Sequence, residues 1–342
     1  MFNFYKKFDG YIPSLPPKKA WMFAGVQQVI NDKADWRPFK TTDEKQNQYG
    51  LETMSCVSQS ACRSTSSNFN LQISKGMISD DGVAWLISNG YFDENGKINF
   101  SDRALAKMSS TSQNGNNADR VWNTIYSKGL IPESKWNWKD KNVDDWNEYY
   151  CNIPAELLLL ADEFRKRFTI NFRAVDKSEF AQTLYQSPLQ VFVYGSYSVS
   201  NGIYQYSGNM SNHAIVMYHI DDFNHLNDSY DPFDKKFVKN YPFYSGSSCL
   251  GKKHSYGYTH TIKENIIKEN KMIVIKQVGE ADYYAVDVKN GEISKFDSWE
   301  SYVKFLKANW CDSVIEVDNK FTYLKEKFGK DFIEIGRMGL II

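Results

Sequence analysis

The hydrophobic pattern of this sequence changes once, near Phe168. Before that point, apolar residues at helical spacing, often between capping residues, predict helices over residues 54–68, 82–90, 120–128 and 155–167. After it, runs of β-branched and aromatic residues predict strands over residues 168–175, 189–194, 202–206 and 214–218. Helices and strands grouped in separate blocks are typical of an α+β fold with a helical lobe followed by a β lobe.

A third block begins near residue 271. Two alternating segments, 272–278 and 282–288, precede an Asn-Gly turn at residues 290–291, then a predicted helix over 298–308 and a strand over 313–317. We therefore expect four parts in the chain of 342 residues: an N-terminal arm (1–49), a helical lobe (50–167), a β lobe (168–265) and a small α+β appendage (271–342).

Composition narrows the class of protein. Forty-one basic residues balance 41 acidic ones, so the chain has no net positive charge that would attract nucleic acid or an anionic membrane. Neither is expected as a partner. No apolar stretch approaches the ~20 residues of a spanning helix. The first ten residues lack the apolar core of a signal peptide, so secretion by that route is not expected. Five scattered cysteines indicate a reducing compartment such as the cytoplasm.

Cys56 stands at the predicted start of the first helix. Helix N-termini favour anions, because their unpaired N–H groups and the helix dipole stabilise a thiolate there. The same N–H groups can hold the oxyanion of a tetrahedral intermediate. Cys62, six residues later within the helix, is the alternative thiol, and we expect it to be a small core residue.

A histidine and an acid follow far along the sequence, so only the folded chain could bring them next to Cys56. His213 lies in a predicted strand, and Asp228 comes fifteen residues later, with Asp231 as its competitor. A thiol, an imidazole and a carboxylate together form a nucleophile, its base and the group that orients the base. The nearby spacings of other histidines and cysteines match no zinc module, so no metal or other cofactor is expected; these residues are His219, His225, Cys249, His254 and His260.

The flanks of His213 resemble a known family. The segments are Ser187-Pro-Leu-Gln-Val-Phe-Val, Asn201-Gly-Ile-Tyr, Asn212-His-Ala-Ile-Val and Asp228-Ser-Tyr. In the same order they are similar to conserved segments of the papain-like cysteine peptidases, and the resemblance covers about residues 46–245. It implies a two-lobed fold with Cys56 as nucleophile, His213 as general base and acid, and Asp228 as the residue that orients His213. A peptide or protein would be the substrate, and an acyl-enzyme the intermediate.

The sequence departs from that family around the nucleophile. The family's Gly-Ser-Cys-Trp is Met54-Ser-Cys-Val here, and Tyr230 stands in the place of the tryptophan that shields the asparagine. The family's oxyanion glutamine lies six residues before the cysteine, where this chain has Gly50. We assign the role to Gln48, with Gln46 and Glu52 as alternatives.

Residues 99–110 and 120–133 are also similar to papain-like proteins encoded by tailed bacteriophages and by poorly characterised bacteria. That resemblance implies two alternatives to a peptidase: a peptidoglycan amidase or endopeptidase of the same fold, or a virion structural protein with a vestigial site and other virion proteins as partners. It places the protein in the cytoplasm of a host cell or in the virion. The N-terminal arm is long enough to occlude the cleft in either case.

Overall fold

A computed structural model describes most of the chain. The described residues are 10–17, 29–138, 145–194, 197–207, 211–243, 246–247, 253–265, 272–277, 283–287, 292–296, 314–317 and 333–338. They divide into two compact units, Met1–Asn265 and Ile266–Ile342. Within the ranges given, no helix has the length and apolar character needed to cross a membrane.

Seven α-helices are described in the first unit. Several begin at a side-chain cap that the sequence supplies; for example, Ser79, Ser101 and Asn117 each accept a hydrogen bond from the first turn of the helix that follows. The helices are α1 (Cys56–Ser74), α2 (Asp80–Ser88), α3 (Asp102–Met108), α4 (Ala118–Lys128), α5 (Trp146–Tyr149), α6 (Ala155–Arg167) and α7 (Phe180–Thr183).

Helix α1 is the centre of the first unit, with 17 of its 19 residues buried. Many of these residues are small and polar, and Ser60, Thr65 and Ser67 satisfy their hydroxyls by donating to backbone carbonyls three or four positions earlier. Phe69, farther along, packs among the aromatic rings of Phe100, Phe164 and Phe168. These hydrogen bonds offset part of the cost of enclosing a polar helix, whereas Ser58 Oγ, Gln59 Oε1 and Ser66 Oγ have no partner among the described residues.

An eight-stranded sheet forms the β lobe, in the order β1-β10-β2-β5-β6-β7-β4-β3. All its pairings are antiparallel except that of β4 with β7. Its strands are β1 (Phe168–Asp176), β2 (Leu189–Tyr194), β3 (Tyr197–Ser200), β4 (Ile203–Tyr206), β5 (Ser211–Ile220), β6 (Phe223–Asn227), β7 (Asp234–Val238) and β10 (Tyr256–Glu264); β8 (Gly246–Ser247) and β9 (Lys253–His254) pair separately. The predicted α+β class, with a helical lobe followed by a β lobe, is confirmed.

The second unit contains a five-stranded sheet in the order β14-β11-β12-β13-β15. Its strands are β11 (Met272–Gln277), β12 (Tyr283–Asp287), β13 (Glu292–Phe296), β14 (Val314–Val317) and β15 (Ile333–Met338). Strands β12 and β13 pair antiparallel on either side of the predicted Asn-Gly turn. That turn and the helix predicted over residues 298–308 lie outside the described residues.

Candidate active site

The nucleophile candidate occupies the first position of the central helix. Helix α1 begins at Cys56, and the turn before it places Met54 in the left-handed region at φ 55°, which is rare for a residue with a side chain. Ser55, at the N-cap, makes no capping hydrogen bond; its hydroxyl instead contacts Thr53 and Gln59. The first-turn N–H groups, which have no acceptor within the helix, are therefore not capped by the usual side chain.

His213 and Asp228 come together through the pairing of β5 with β6. His213 lies near the start of β5, opposite Val193 on β2, and Asp228 directly follows β6. His213 Nε2 is 2.6 Å from Asp228 Oδ1, and both side chains are almost fully buried. The competing carboxylate, Asp231, is half-exposed and pairs with Lys45 instead.

The ring of His213 joins the acid to the thiol. Burial by itself lowers the pKa of His213, but the Asp228 carboxylate and hydrogen bonds to Asp228 and Cys56 outweigh it and raise that pKa to about 10. Because Nε2 faces Asp228, Nδ1 is the ring nitrogen available to the Cys56 thiol. Such an imidazolium stabilises a thiolate beside it.

Lys235 is a member of this site that the sequence analysis missed. Its Nζ lies 2.6 Å from Asp228 Oδ2 and 2.7 Å from the Tyr230 carbonyl, and its side chain is 0% exposed. Asp228 is therefore held between two cations, and despite its burial its pKa is lowered by His213 and Lys235. The signal was present in the alternation of β7, where Lys235 shares the inward face with Phe237.

Tyr230 and Glu52 enclose the other side of the histidine. The Tyr230 ring lies 5.2 Å from the His213 ring, and its hydroxyl donates to Glu52 at 2.6 Å. Gln46 Nε2 lies 2.6 Å from both of these partners, and its Oε1 accepts from Ser229. The Tyr230 ring therefore packs against His213, and its hydroxyl is held by Glu52 and Gln46.

The oxyanion side chain remains a prediction. Gln48 is in a short 3₁₀ turn, and its amide donates to the Lys45 carbonyl at 3.1 Å. To serve Cys56 it would have to leave that local bond. The alternative amide, Gln46, already has both its amide nitrogen and its oxygen engaged in the Tyr230 network.

The remaining candidates lie elsewhere. Cys62 is buried within α1, and burial raises the pKa of its thiol well above the usual value, which disfavours a thiolate there. His219 and His225 are cross-strand neighbours that share the Asp221 carboxylate rather than meeting His213. His260 is buried against Trp122, and desolvation lowers its pKa to about 3. Cys249 lies outside the described residues, and His254 is on β9.

The N-terminal region crosses directly over the nucleophile. We call residues 10–17 the covering segment. A Cβ added to Gly10 would lie 2.7 Å from Cys56 Sγ, so only a glycine fits above the thiol. The segment bridges both lobes, since Tyr11 N donates to the Asn212 carbonyl and Ile12 N to the Asn116 carbonyl, at 3.0 and 2.8 Å.

Two further contacts hold the covering segment. Asn116 N donates to the Gly10 carbonyl at 3.0 Å, an approach that Gly115 permits because a Cβ there would collide with Gly10. The Tyr11 ring stacks on Phe192 with centroids 4.1 Å apart and is 3% exposed. The consequence is that Cys56 is 0% exposed.

A helical lobe whose central helix begins at a cysteine faces a sheet that supplies a histidine and an acid, which is the two-lobed arrangement that the sequence resemblance implies. No protein-family model matches the chain, and no curated protein sequence matches it significantly.

Several solved structures have a similar backbone path. Xylellain, a cysteine protease from Xylella fastidiosa, aligns with a TM-score of 0.49 and 14% identity over 75% of this chain and 96% of its own. The Carica candamarcensis cysteine protease CMS1MS2 gives 0.40 and 12%, over 68% and 98%. ProCathepsin B S9 from Trypanosoma congolense gives 0.39 and 9%, over 75% and 84%. At such identities, any statement about chemistry has to come from this chain's own residues.

Proposed function

We propose that this protein is a papain-like cysteine peptidase that uses Cys56, His213 and Asp228. The observation that carries the proposal is the surroundings of His213, whose Nε2 lies 2.6 Å from Asp228 Oδ1 and whose pKa is raised in part by the neighbouring Cys56 thiol. A cysteine at a helix N-terminus, an imidazole and a carboxylate in this order have the roles of nucleophile, base and orienting group.

The reaction follows from these contacts. His213 Nδ1 takes the thiol proton, and the Cys56 thiolate attacks the carbonyl carbon of the scissile peptide bond. The resulting oxyanion accepts from the Cys56 backbone N–H, with Gln48 as the proposed second donor. His213 then gives its proton to the leaving amine, and a thioester remains on Cys56. Water, deprotonated by His213, hydrolyses the thioester and restores the thiol.

Asp228 and Lys235 set the state of the base in this scheme. Asp228 keeps the imidazole turned with Nδ1 toward Cys56 and stabilises the imidazolium. Lys235 in turn holds Asp228 in its charged form, so the carboxylate does not take the proton from His213.

The covering segment makes this a peptidase that is inactive until the segment moves. Gly10 lies where the substrate carbonyl must approach Cys56, so the closed form excludes substrate. Backbone hydrogen bonds on both sides of Cys56, from Asn116 and to Asn212, are also the kind that an extended peptide substrate would use. Release of the segment would then expose a ready-made site.

The test of the proposal uses the full chain with the segment loosened by Tyr11→Ala. We expect an epoxide or iodoacetamide probe to modify Cys56 and the chain to hydrolyse casein. Adding Cys56→Ala should abolish hydrolysis, whereas Cys62→Ala, which removes the alternative thiol, should retain it. Hydrolysis that survives Cys56→Ala, or a Cys56 that stays unmodified in the loosened chain, refutes the peptidase.

The two alternatives give different results in the same experiment. A peptidoglycan amidase or endopeptidase would clear purified cell wall and leave casein intact, with the same dependence on Cys56. A virion structural protein with a vestigial site would hydrolyse neither substrate, even with the segment loosened. Localisation in a host cytoplasm or a virion stays a prediction.

A further inference from the structure

Arg63 is a buried cation in the helix that carries the nucleophile, and the proposed reaction gives it no role. It lies seven residues after Cys56, which at 3.6 residues per turn is almost two complete turns of α1. The two side chains therefore project from the same face of the helix, with Arg63 directed at the end of β6. Arg63 is only 5% exposed, so its guanidinium needs acceptors within the protein.

The acceptors of Arg63 lie in two other stretches of the chain. Its Nη1 donates to the backbone carbonyl of Asp228 at 2.5 Å and to Asn227 Oδ1 at 2.7 Å. Its Nη2 donates to the backbone carbonyl of Glu44, in the segment before α1 that also contains Gln48. One side chain therefore joins α1 to the acid of the site and to the segment that carries the proposed oxyanion donor.

The other hydrogen bonds of Asp228 lie within the β lobe. Its backbone N–H donates to the Phe233 carbonyl, and its carboxylate accepts from the Tyr230 N–H and from Lys235. These three partners belong to the hairpin of β6 and β7, so they move together with Asp228. His213 is on β5, in the same sheet. Such contacts hold the acid and the base to each other, but they do not hold them to the helix of the nucleophile.

We propose that Arg63 is a positioning residue for the peptidase reaction, and this inference rests on the function proposed above. Its bond to the Asp228 carbonyl connects α1 directly to the residue that holds His213, while Cys56 lies two turns earlier on the same face. Fixing Asp228 at this point therefore fixes where the imidazole stands relative to the thiol. A displacement of about 1 Å between reacting groups can cost roughly 100-fold in rate.

The geometry at Arg63 requires a guanidinium. Two of the acceptors lie at Nη1 and the third lies at Nη2, so the donors must point in two directions from one side chain. A guanidinium has its donors in a fixed planar fork, whereas a lysine ammonium is a compact charge on a flexible stem. Arg63→Lys would keep the positive charge and lose the fork.

The test compares the reactivity of Cys56 at two pH values in the full chain opened by Tyr11→Ala. A thiol with an ordinary pKa of ~8.5 is about 0.3% thiolate at pH 6 and about 75% at pH 9, so its alkylation slows roughly 250-fold between them. A thiol paired with an imidazolium stays largely in the thiolate form at both pH values. The ratio of the iodoacetamide rates at pH 6 and pH 9 therefore measures the pairing. A ratio, unlike a single rate, does not depend on how far Tyr11→Ala opens the site.

Two variants of Arg63 give the expected changes. Arg63→Met should lower the ratio at least ~10-fold, because the imidazole is no longer held beside the thiol. In casein hydrolysis it should lower kcat and leave KM within about twofold, since Arg63 acts through Asp228 and does not bind substrate. Arg63→Lys should give an intermediate ratio, at least ~3-fold below that of the parent, and provides the readout if Arg63→Met does not fold.

Arg167→Met is the matched control. Arg167 is 6% exposed, but its guanidinium donates to Asp81 and lies over the Trp85 ring, both on α2. Loss of either buried cation should lower the Tm, whereas only the change at Arg63 should lower the ratio.

The outcomes separate this inference from the function on which it rests. Arg63 variants that keep the ratio of the parent, or an Arg167→Met that lowers it equally, overturn the positioning role and leave the peptidase intact. A parent whose ratio is already that of an ordinary thiol has no thiol–imidazolium pair, and this result refutes the peptidase mechanism together with the role of Arg63.

Discussion

Truncating Tyr11 should open the site. Its ring is 3% exposed and stacked on Phe192, and it provides the largest buried side chain of the contacts that hold the covering segment over Cys56. An aromatic side chain buries roughly 150–250 Å², which at ~25 cal/mol/Å² is about 4–6 kcal/mol. The released segment keeps part of that burial through residual contacts, so Tyr11→Ala should cost the closed form about 3 kcal/mol.

That free energy sets the size of the effect. A cost of about 3 kcal/mol raises the fraction of molecules with an open site roughly 100-fold. Because Cys56 is 0% exposed in the closed form, its alkylation by iodoacetamide should be proportional to the open fraction. We therefore expect Cys56 to react about 100 times faster in Tyr11→Ala than in the wild type.

The assay follows each cysteine by peptide mass spectrometry during a time course. Tyr11→Phe is the matched control, because it keeps the ring on Phe192 and removes only a hydroxyl that lies 3.5 Å from that of Tyr256. Cys151, which is partly exposed, reports on general unfolding and should keep its rate. An unchanged Cys56 rate in Tyr11→Ala, with Cys151 also unchanged, would falsify the closure of the site by this segment.

Three further predictions concern the groups around the site. Lys235→Met should lower the free energy of unfolding by about 3–5 kcal/mol in urea titrations, because it leaves Asp228 with one cation fewer, while Lys236→Met on the exposed face of β7 should change it little. Gln190→Leu should cost about 2–3 kcal/mol by the same measurement, since it leaves the Trp122 N–H buried without its acceptor and the Val57 carbonyl without its donor. The pKa of His213 is raised to about 10, so its ion pair with Asp228 stabilises the fold in full below about pH 6.5 and loses that stabilisation as the pH rises through about 10. Over this range the free energy of unfolding of the wild type should fall more than that of His213→Gln. Equal slopes of the two free energies against pH would contradict the ion pair.

Local pattern was sufficient for the elements that carry the site. A helix over residues 54–68 was predicted because small residues run there without glycine or proline, and α1 begins two residues later, at Cys56. A strand over residues 214–218 was predicted from its apolar run, and β5 includes it together with His213. The strand over residues 168–175 was likewise identified by its apolar and aromatic run, and forms β1. These features depend on neighbours in the sequence, which is the information that a single chain contains.

The roles of Lys235 and Gln190 were not predicted, because they depend on contacts between segments that are distant in the sequence. Lys235 reaches Asp228 only because β7 pairs with β6, and as one of 41 basic residues it is unremarkable until that pairing is known. The same holds for Gln190, a polar residue in the fully buried strand β2. Its amide donates to the Val57 carbonyl in the first turn of α1, more than 130 positions earlier, and this contact explains why a polar residue is buried there. Alternation gives the face of a strand but not the partner that the face meets.

In the proposed peptidase, the buried Lys235 explains how Asp228 can replace the orienting asparagine of the family that the sequence resembles. An amide in this place orients the imidazole without a charge, whereas an unpaired buried carboxylate would cost several kcal/mol and would tend to take a proton. Lys235 offsets that cost at Oδ2, which leaves Oδ1 charged for His213. In the proposed peptidase, the neutral pair of Asp228 and Lys235 would perform the orienting function of one amide. A variant in which Asp228→Asn and Lys235→Met are combined should be more stable than Lys235→Met alone. Unfolding titrations of the single and double variants measure that difference, and an equal stability of the two would show that the lysine does not act through Asp228.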